Sequence, residues 1–146
     1  MRWLVDTNVL LRSAQTSHPM YGDVARAIST LKTRRDELYV VAQNLIEFWA
    51  VATRQLINNG LGLTVAQAED ELTKLKTIFT ILPDTADILP KWEHLIVKHQ
   101  VLGKQAHDAR LVAAMEVHNL THLLTFNDRD FKRFTEITVV NPHDIN

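Results

Sequence analysis

Apolar residues recur along this chain in two rhythms. Short runs rich in β-branched or aromatic residues, WLV (3–5), ELYVVA (37–42), FTIL (79–82), HLLTF (122–126) and ITVV (137–140), predict five strands. Longer stretches place apolar residues at helical spacing: Val24, Ile28 and Leu31; Leu45, Trp49, Ala52 and Leu56; Ala68, Leu72, Leu75 and Ile78; Leu111, Met115 and Val117. Thr64, after the Gly60-Leu61-Gly62 break, reads as the cap of the helix that opens with VAQAEDEL. Strands alternate with helices, and the strands are apolar on both faces. That combination predicts an α/β fold with a mainly parallel five-stranded sheet and helices on both faces.

Polar residues interrupt these rhythms at a few places. In WLVDTNVLL, residues 3–11, an apolar run stops for Asp6, Thr7 and Asn8 and then resumes. One such Asp is well explained as a helix cap. Ligands of open parallel sheets, however, bind outside the carboxyl ends of the strands, and Asp6 directly follows the first run. Thr125, Asn127, Asp128 and Asp130 lie at or just after the fourth run, and so at the same edge. Glu47 interrupts the apolar helix NLIEFWAVA, and Asp108 falls in the first turn of the helix containing HDARLVAAM.

Each acid has a purely structural explanation: a solvated helix edge for Glu47, the helix dipole for Asp108, a turn for Asn127-Asp128. None explains why the interruptions follow two strands at one edge and recur inside two apolar helices. Carboxylates gathered together repel unless they are protonated or neutralised, and a hard divalent cation with oxygen ligands, Mg²⁺ or Mn²⁺, neutralises them. Such a cation-carboxylate centre suits phosphodiester hydrolysis.

Composition narrows the picture. With 146 residues, 46% hydrophobic and 23% charged, the chain supports one core, so residues 1–146 are expected to form one domain. A net charge of -1 gives no global positive field, so nucleic-acid binding would need a local basic patch. The absence of cysteine excludes disulfides and thiolate metal sites. The first residues carry neither a signal-peptide h-region nor a membrane span, and a soluble cytoplasmic protein is expected. His94 with His99, and His118 with His122, lack convincing ligand spacing. His107, Phe48 and Trp49 are read as a surface residue and two core residues. The run Lys32, Arg34 and Arg35 is read as an exposed helix end.

The stretches VDTNVLL, NLIEFWAV, HDARLVAAM and LLTFNDRDF, in that order and spacing, closely resemble the four motifs of PIN domains, especially the small ribonucleases of the VapC toxin type. The resemblance runs from Asp6 to Asp130. It implies a metal-dependent endoribonuclease with Asp6, Glu47 and Asp108 as the core carboxylates and Mg²⁺ or Mn²⁺ as cofactor. For the fourth polar residue it leaves Asn127, Asp128 and Asp130 open; Asn127 aligns best with the family's variable position, Asp130 is next, and Asp128 is expected to be exposed. Thr125 and Asn8 would support the carboxylates. Arg12, Arg110 and Arg129 would meet the RNA backbone. The resemblance also implies a homodimer and a small inhibitory antitoxin, for which the helix TVAQAEDELTKLKTIF is a candidate surface. Two other readings stay open: an RNA- or protein-binding module that does not cut, motivated by Asn127, and a housekeeping RNA-processing nuclease without an antitoxin.

Overall fold

The computed structural model describes residues 1–146. The chain runs through β1 (Arg2–Val5), α1 (Thr7–Ser13), α2 (Tyr21–Thr33), β2 (Glu37–Val41) and α3 (Ala42–Ala52). After a 3₁₀ turn at Leu56–Asn58 come α4 (Val65–Ile78), β3 (Thr80–Leu82), α5 (Ile88–Lys98) and α6 (Gln105–Val117). The last elements are β4 (His122–Leu124), α7 (Asp128–Phe131), β5 (Thr138–Val140) and a 3₁₀ turn at Pro142–Asp144. All strand pairs are parallel, in the order β3-β2-β1-β4-β5.

The period-2 geometry of a strand sends alternate residues to opposite faces, and both faces of this sheet are covered. Trp3, Val5, Leu38, Val40 and Leu124 pack with Val9 and Leu10 of α1, Val24 and Leu31 of α2, Phe48 of α3 and Leu75 of α4. Leu4, Val41 and Leu123 pack with Leu95 of α5, the run Leu111–Met115 of α6, Phe131 and Phe134. The central strand β1 is therefore buried on both sides, as its uninterrupted apolar sequence requires. Phe48 is fully buried and Trp49 packs at the edge of the same cluster.

The strand order fixes where chemistry can gather. From β1 the chain builds outward to β2 and β3, then crosses back to lay β4 on the other side of β1. Successive connections leave β1 and β4 in opposite directions, which opens a crevice at their carboxyl ends.

Three details differ from the expectation. HLLTF pairs only through Leu124, which leaves Thr125 and Phe126 beyond the strand and at the crevice. The edge strand β3 is not covered on both faces, since Thr80 and Ile81 are exposed. Leu56, read as a continuation of the α3 stripe, is 75% exposed, because α3 stops at Ala52. The returning chain supplies the reason: the backbone N–H of Leu61 bonds the carbonyl of Val51 at 3.0 Å and that of Leu63 bonds Ala52 at 2.9 Å. Carbonyls so occupied are satisfied without another helical turn. Thr64 does cap α4, its hydroxyl accepting from the Gln67 N–H at 3.1 Å while the Gln67 side chain accepts from the Thr64 N–H at 2.9 Å.

The return loop depends on one glycine. A Cβ at Gly60 would lie 2.0 Å from the carbonyl oxygen of Arg54, a backbone atom that cannot move aside alone. At Gly22, inside α2, an added Cβ meets nothing within 4 Å. Gly60→Ala is therefore expected to lower stability by about 2 kcal/mol or more, and Gly22→Ala to raise it by about 0.5–1 kcal/mol through helix propensity. Chemical denaturation of the two variants beside the parent chain checks both signs.

Candidate functional site

Asp6 is the first residue beyond β1, and its backbone N–H still bonds the carbonyl of Leu124 at 3.0 Å. Its side chain is only 6% exposed. One carboxylate oxygen accepts from the Thr7 N–H at 2.8 Å as the chain turns into α1, so the cap reading of Asp6 also holds. The other accepts from the Thr125 hydroxyl at 2.7 Å and from the Asn8 amide at 3.4 Å. Asn8 reaches across the crevice, donating to Thr125 Oγ1 at 3.1 Å and accepting from the Phe126 N–H at 3.2 Å. Asn8, Thr125 and Asp6 thus join the carboxyl ends of β1 and β4.

Glu47 projects from α3 toward the same place. Its Oε2 accepts from the Thr7 hydroxyl at 2.9 Å, and its Oε1 accepts from the Gln43 amide at 2.9 Å. Asp108, half-buried in the first turn of α6, completes the near side. The electrostatics tie these acids together. Burial, with the charges of Glu47 and Asp130, pushes the Asp6 carboxyl up to about 6, against hydrogen bonds from Thr125 and Thr7 that favour the anion. Burial and then the charges of Asp6, Asp130 and Glu47 push Asp108 up to about 6 as well, opposed by His107. Mutual repulsion of this kind identifies Asp6, Glu47, Asp108 and Asp130 as one cluster.

Of the three candidates near β4, Asp130 adds its charge to those that raise Asp6 and Asp108, although its side chain is exposed. Asn127 is exposed and opens α7, its backbone N–H bonding Thr125 Oγ1 at 3.0 Å. Asp128, expected to be the exposed member, is half-buried and accepts from Asn141 at 3.5 Å. Asn127, Asp128 and Asp130 line one small pocket at the start of α7.

The arginines divide differently. Arg110 pairs with Asp84 at 3.2 Å and donates to Gln43 Oε1 at 3.1 Å. Arg12 donates to Gln15 along α1 at 2.6 Å, and Arg129 is exposed beside Asn127. A cleft of about 780 Å³ opens beside Glu47, lined by Gln43, Asp84, His107, Arg110 and Arg54. Arg54 and Gln43 were not singled out in the sequence; the i,i+4 spacing of Gln43 to Glu47 was the available signal for the second.

No salt bridge within 4.0 Å involves Asp6, Glu47, Asp108 or Asp130. Neutral donors hold Asp6 and Glu47 instead: two hydroxyls, two amides and a backbone N–H. An all-oxygen set of unneutralised acids matches the donor chemistry of Mg²⁺ or Mn²⁺. No three of these groups converge closely enough to grip one ion, so the cation would meet a charge cluster rather than a finished cage.

The raised carboxyls set a pH dependence. Between about pH 4 and 6 the folded chain keeps protons on Asp6 and Asp108 that the unfolded chain has released, so stability falls as pH rises through that window. For the buried Asp6 the loss from about pH 4.5 to 7.5 is about 2 kcal/mol, or roughly 6 °C in Tm. Thermal melts in EDTA are expected to show that fall, to lose much of it in Asp6→Asn, and to show Mn²⁺ stabilising more at the high end than at the low. A metal-free Tm that is flat or rising across the window would contradict the assignment.

Comparison with known proteins agrees with the fold. The PIN domain pattern matches residues 3–137. No curated protein matches the chain significantly. Among solved structures, VapBC2 from Rickettsia felis, bound to a DNA fragment from its promoter, superposes with a TM-score of 0.73 at 15% identity, covering 97% of this chain and 98% of that one. VapBC-1 from nontypeable Haemophilus influenzae gives 0.70 at 16%, with 97% and 98% covered. VapC20 from Mycobacterium tuberculosis, described as a sarcin-ricin loop cleaving toxin, gives 0.64 at 17%, with 88% and 92% covered. At these identities the superpositions establish a shared fold, and the sequence pattern over nearly the whole length establishes the family: the chain is a member of the PIN domain family.

Proposed function

We propose that this chain is a divalent-cation-dependent endoribonuclease and the toxin of a toxin-antitoxin pair. The observation that carries the reading is the mutual charge repulsion of Asp6, Glu47, Asp108 and Asp130 at the crevice, with no salt bridge to any of them and with Asp6 and Glu47 positioned by neutral donors. The charge of Asp130, which adds to the repulsion on Asp6, supports a fourth acid near the site despite the neutral Asn127 and so favours the cutting reading over a binding module. Solved relatives described as VapBC complexes and as a sarcin-ricin loop cleaving toxin support RNA as substrate and an antitoxin as partner.

In this reading Asp6 and Asp108, with Glu47 and Asp130, would hold Mg²⁺ or Mn²⁺, drawing together around the ion when it binds. When bound, the cation supplies Lewis acidity toward a phosphodiester and lowers the pKa of a coordinated water. Thr125, Asn8 and Thr7 orient the Asp6 and Glu47 carboxylates so that their lone pairs stay aimed while the acids remain charged. The cleft beside Glu47 offers Arg54, His107 and Arg110 to the RNA backbone, with Arg129 beside Asp130 and Arg12 on α1 as further candidates. The groove of about 560 Å³ lined by Tyr21, Val24, Ile28 and Ile78, between α2 and the end of α4, is the surface assigned to the antitoxin. The exposed Leu56, Ile57 and Val65 are assigned to a homodimer contact.

Purified, partner-free protein is expected to cut a mixed RNA pool in Mg²⁺ or Mn²⁺ and to stop in EDTA. Asp108→Asn, which removes one carboxylate from the cluster, should reduce the rate at least about a hundredfold. A variant as active as the parent chain would rule the cluster out as the catalytic centre. Growth arrest on expression, abolished by the same substitution, separates a toxin from a housekeeping nuclease.

A further inference from the structure

Gln43 occupies an unusual position among the groups around the acids. Its side chain is 8% exposed, and every hydrogen-bonding direction that matters is filled. The amide nitrogen donates to Glu47 Oε1 at 2.9 Å and to the backbone carbonyl of His107 at 2.9 Å. The amide oxygen accepts from the Arg110 guanidinium at 3.1 Å. Arg110 in turn is anchored by Asp84 at 3.2 Å, in the segment after β3. A single neutral side chain therefore spans from α3, which carries Glu47, to α6 at the residue next to Asp108.

The arrangement is directional. A guanidinium can only donate, so Arg110 dictates which end of the Gln43 amide faces it. The nitrogen end is then turned toward Glu47 and His107, using both of its protons. Glu47 gains a donor on Oε1 to match the Thr7 hydroxyl on Oε2, and both oxygens are held without neutralising the charge. A lysine at this place would neutralise Glu47, and an apolar residue would leave the carboxylate free to swing.

We infer that Gln43 is a positioning residue that fixes Glu47 relative to Asp108 and thereby sets the affinity of the acid cluster for a divalent cation. The inference rests on the proposed function in assigning Glu47 and Asp108 to cation binding, and it adds the chain Asp84-Arg110-Gln43-Glu47 as the device that holds their separation.

The test measures Mn²⁺ affinity of the whole chain by calorimetry, without RNA, so that no step depends on catalysis. Gln43→Met keeps length and burial but removes the amide, and its affinity should fall roughly tenfold, within the range found when supports of metal ligands are removed. The decisive measurement is the same substitution made in Glu47→Gln. Because Gln43 acts through Glu47, the double variant should bind no more weakly than Glu47→Gln alone. Losses that multiply, or an unchanged affinity in folded Gln43→Met, would overturn the inference. Should Gln43→Met melt too low to measure, Arg110→Met frees the amide to rotate, and its smaller loss must likewise vanish in Glu47→Gln; a loss that persists there overturns it. Parent chain that binds Mn²⁺ alongside a Gln43→Met variant that binds equally tightly refutes only this assignment, whereas parent chain that binds none refutes the nuclease reading along with it.

Discussion

The Asp6 carboxylate is buried at the one point in this fold where burial of a charge is both hardest and most useful. It sits where β1 ends, between strands whose neighbours leave in opposite directions, and it is joined to the end of β4 by the 2.7 Å bond from Thr125. An isolated carboxylate there would be expelled or protonated. Three donors from Thr7, Asn8 and Thr125 offset the desolvation in part, and the carboxyl remains pushed up to about 6. The surrounding elements answer to that constraint: α1 must begin at once to present the Thr7 N–H, β4 must stop at Leu124 to free Thr125, and α3 and α6 must bring their acids within electrostatic reach without a base between them.

How much of this was legible in the sequence depended on whether a feature was local. The apolar strands and the Thr64 cap are local, and they are found where the pattern put them. Asp6 and Thr125 were legible because the α/β alternation places strand ends at a common edge. Leu56 was not, because the end of α3 is decided by the 61–63 segment returning to its last carbonyls, a contact between residues about ten apart that periodicity cannot register.

The choice among Asn127, Asp128 and Asp130 was beyond the sequence for a different reason. All three lie within one helical turn, and a change of roughly 100° per residue decides which faces the cluster. Motif alignment favoured Asn127 by its distance from Thr125 along the chain. The backbone uses that residue to start the turn, bonding its N–H to Thr125, while the charge of Asp130 three residues on adds to the repulsion on Asp6. Arg110 makes a contact that periodicity could not register: an Asp far away in sequence, Asp84, engages it, and it also lines the cleft beside Glu47.

The use of neutral donors explains why the acids can be held and still remain reactive toward a cation. A Lys or Arg paired with Glu47 would lower the repulsion that raises Asp6 and Asp108, and would compete directly with Mg²⁺ or Mn²⁺ for the same oxygens. Threonine, asparagine and glutamine supply hydrogen bonds worth about 1–3 kcal/mol each to a charged acceptor while leaving its charge in place. Glutamine adds an acceptor, so a guanidinium can stiffen the network from one side chain away. The positive charge of Arg110 is then balanced at Asp84, and only its geometric influence reaches Glu47. Orientation and charge are thereby controlled by different residues, which is the condition a carboxylate cluster must meet if it is to be rigid before a cation arrives and less repulsive after it.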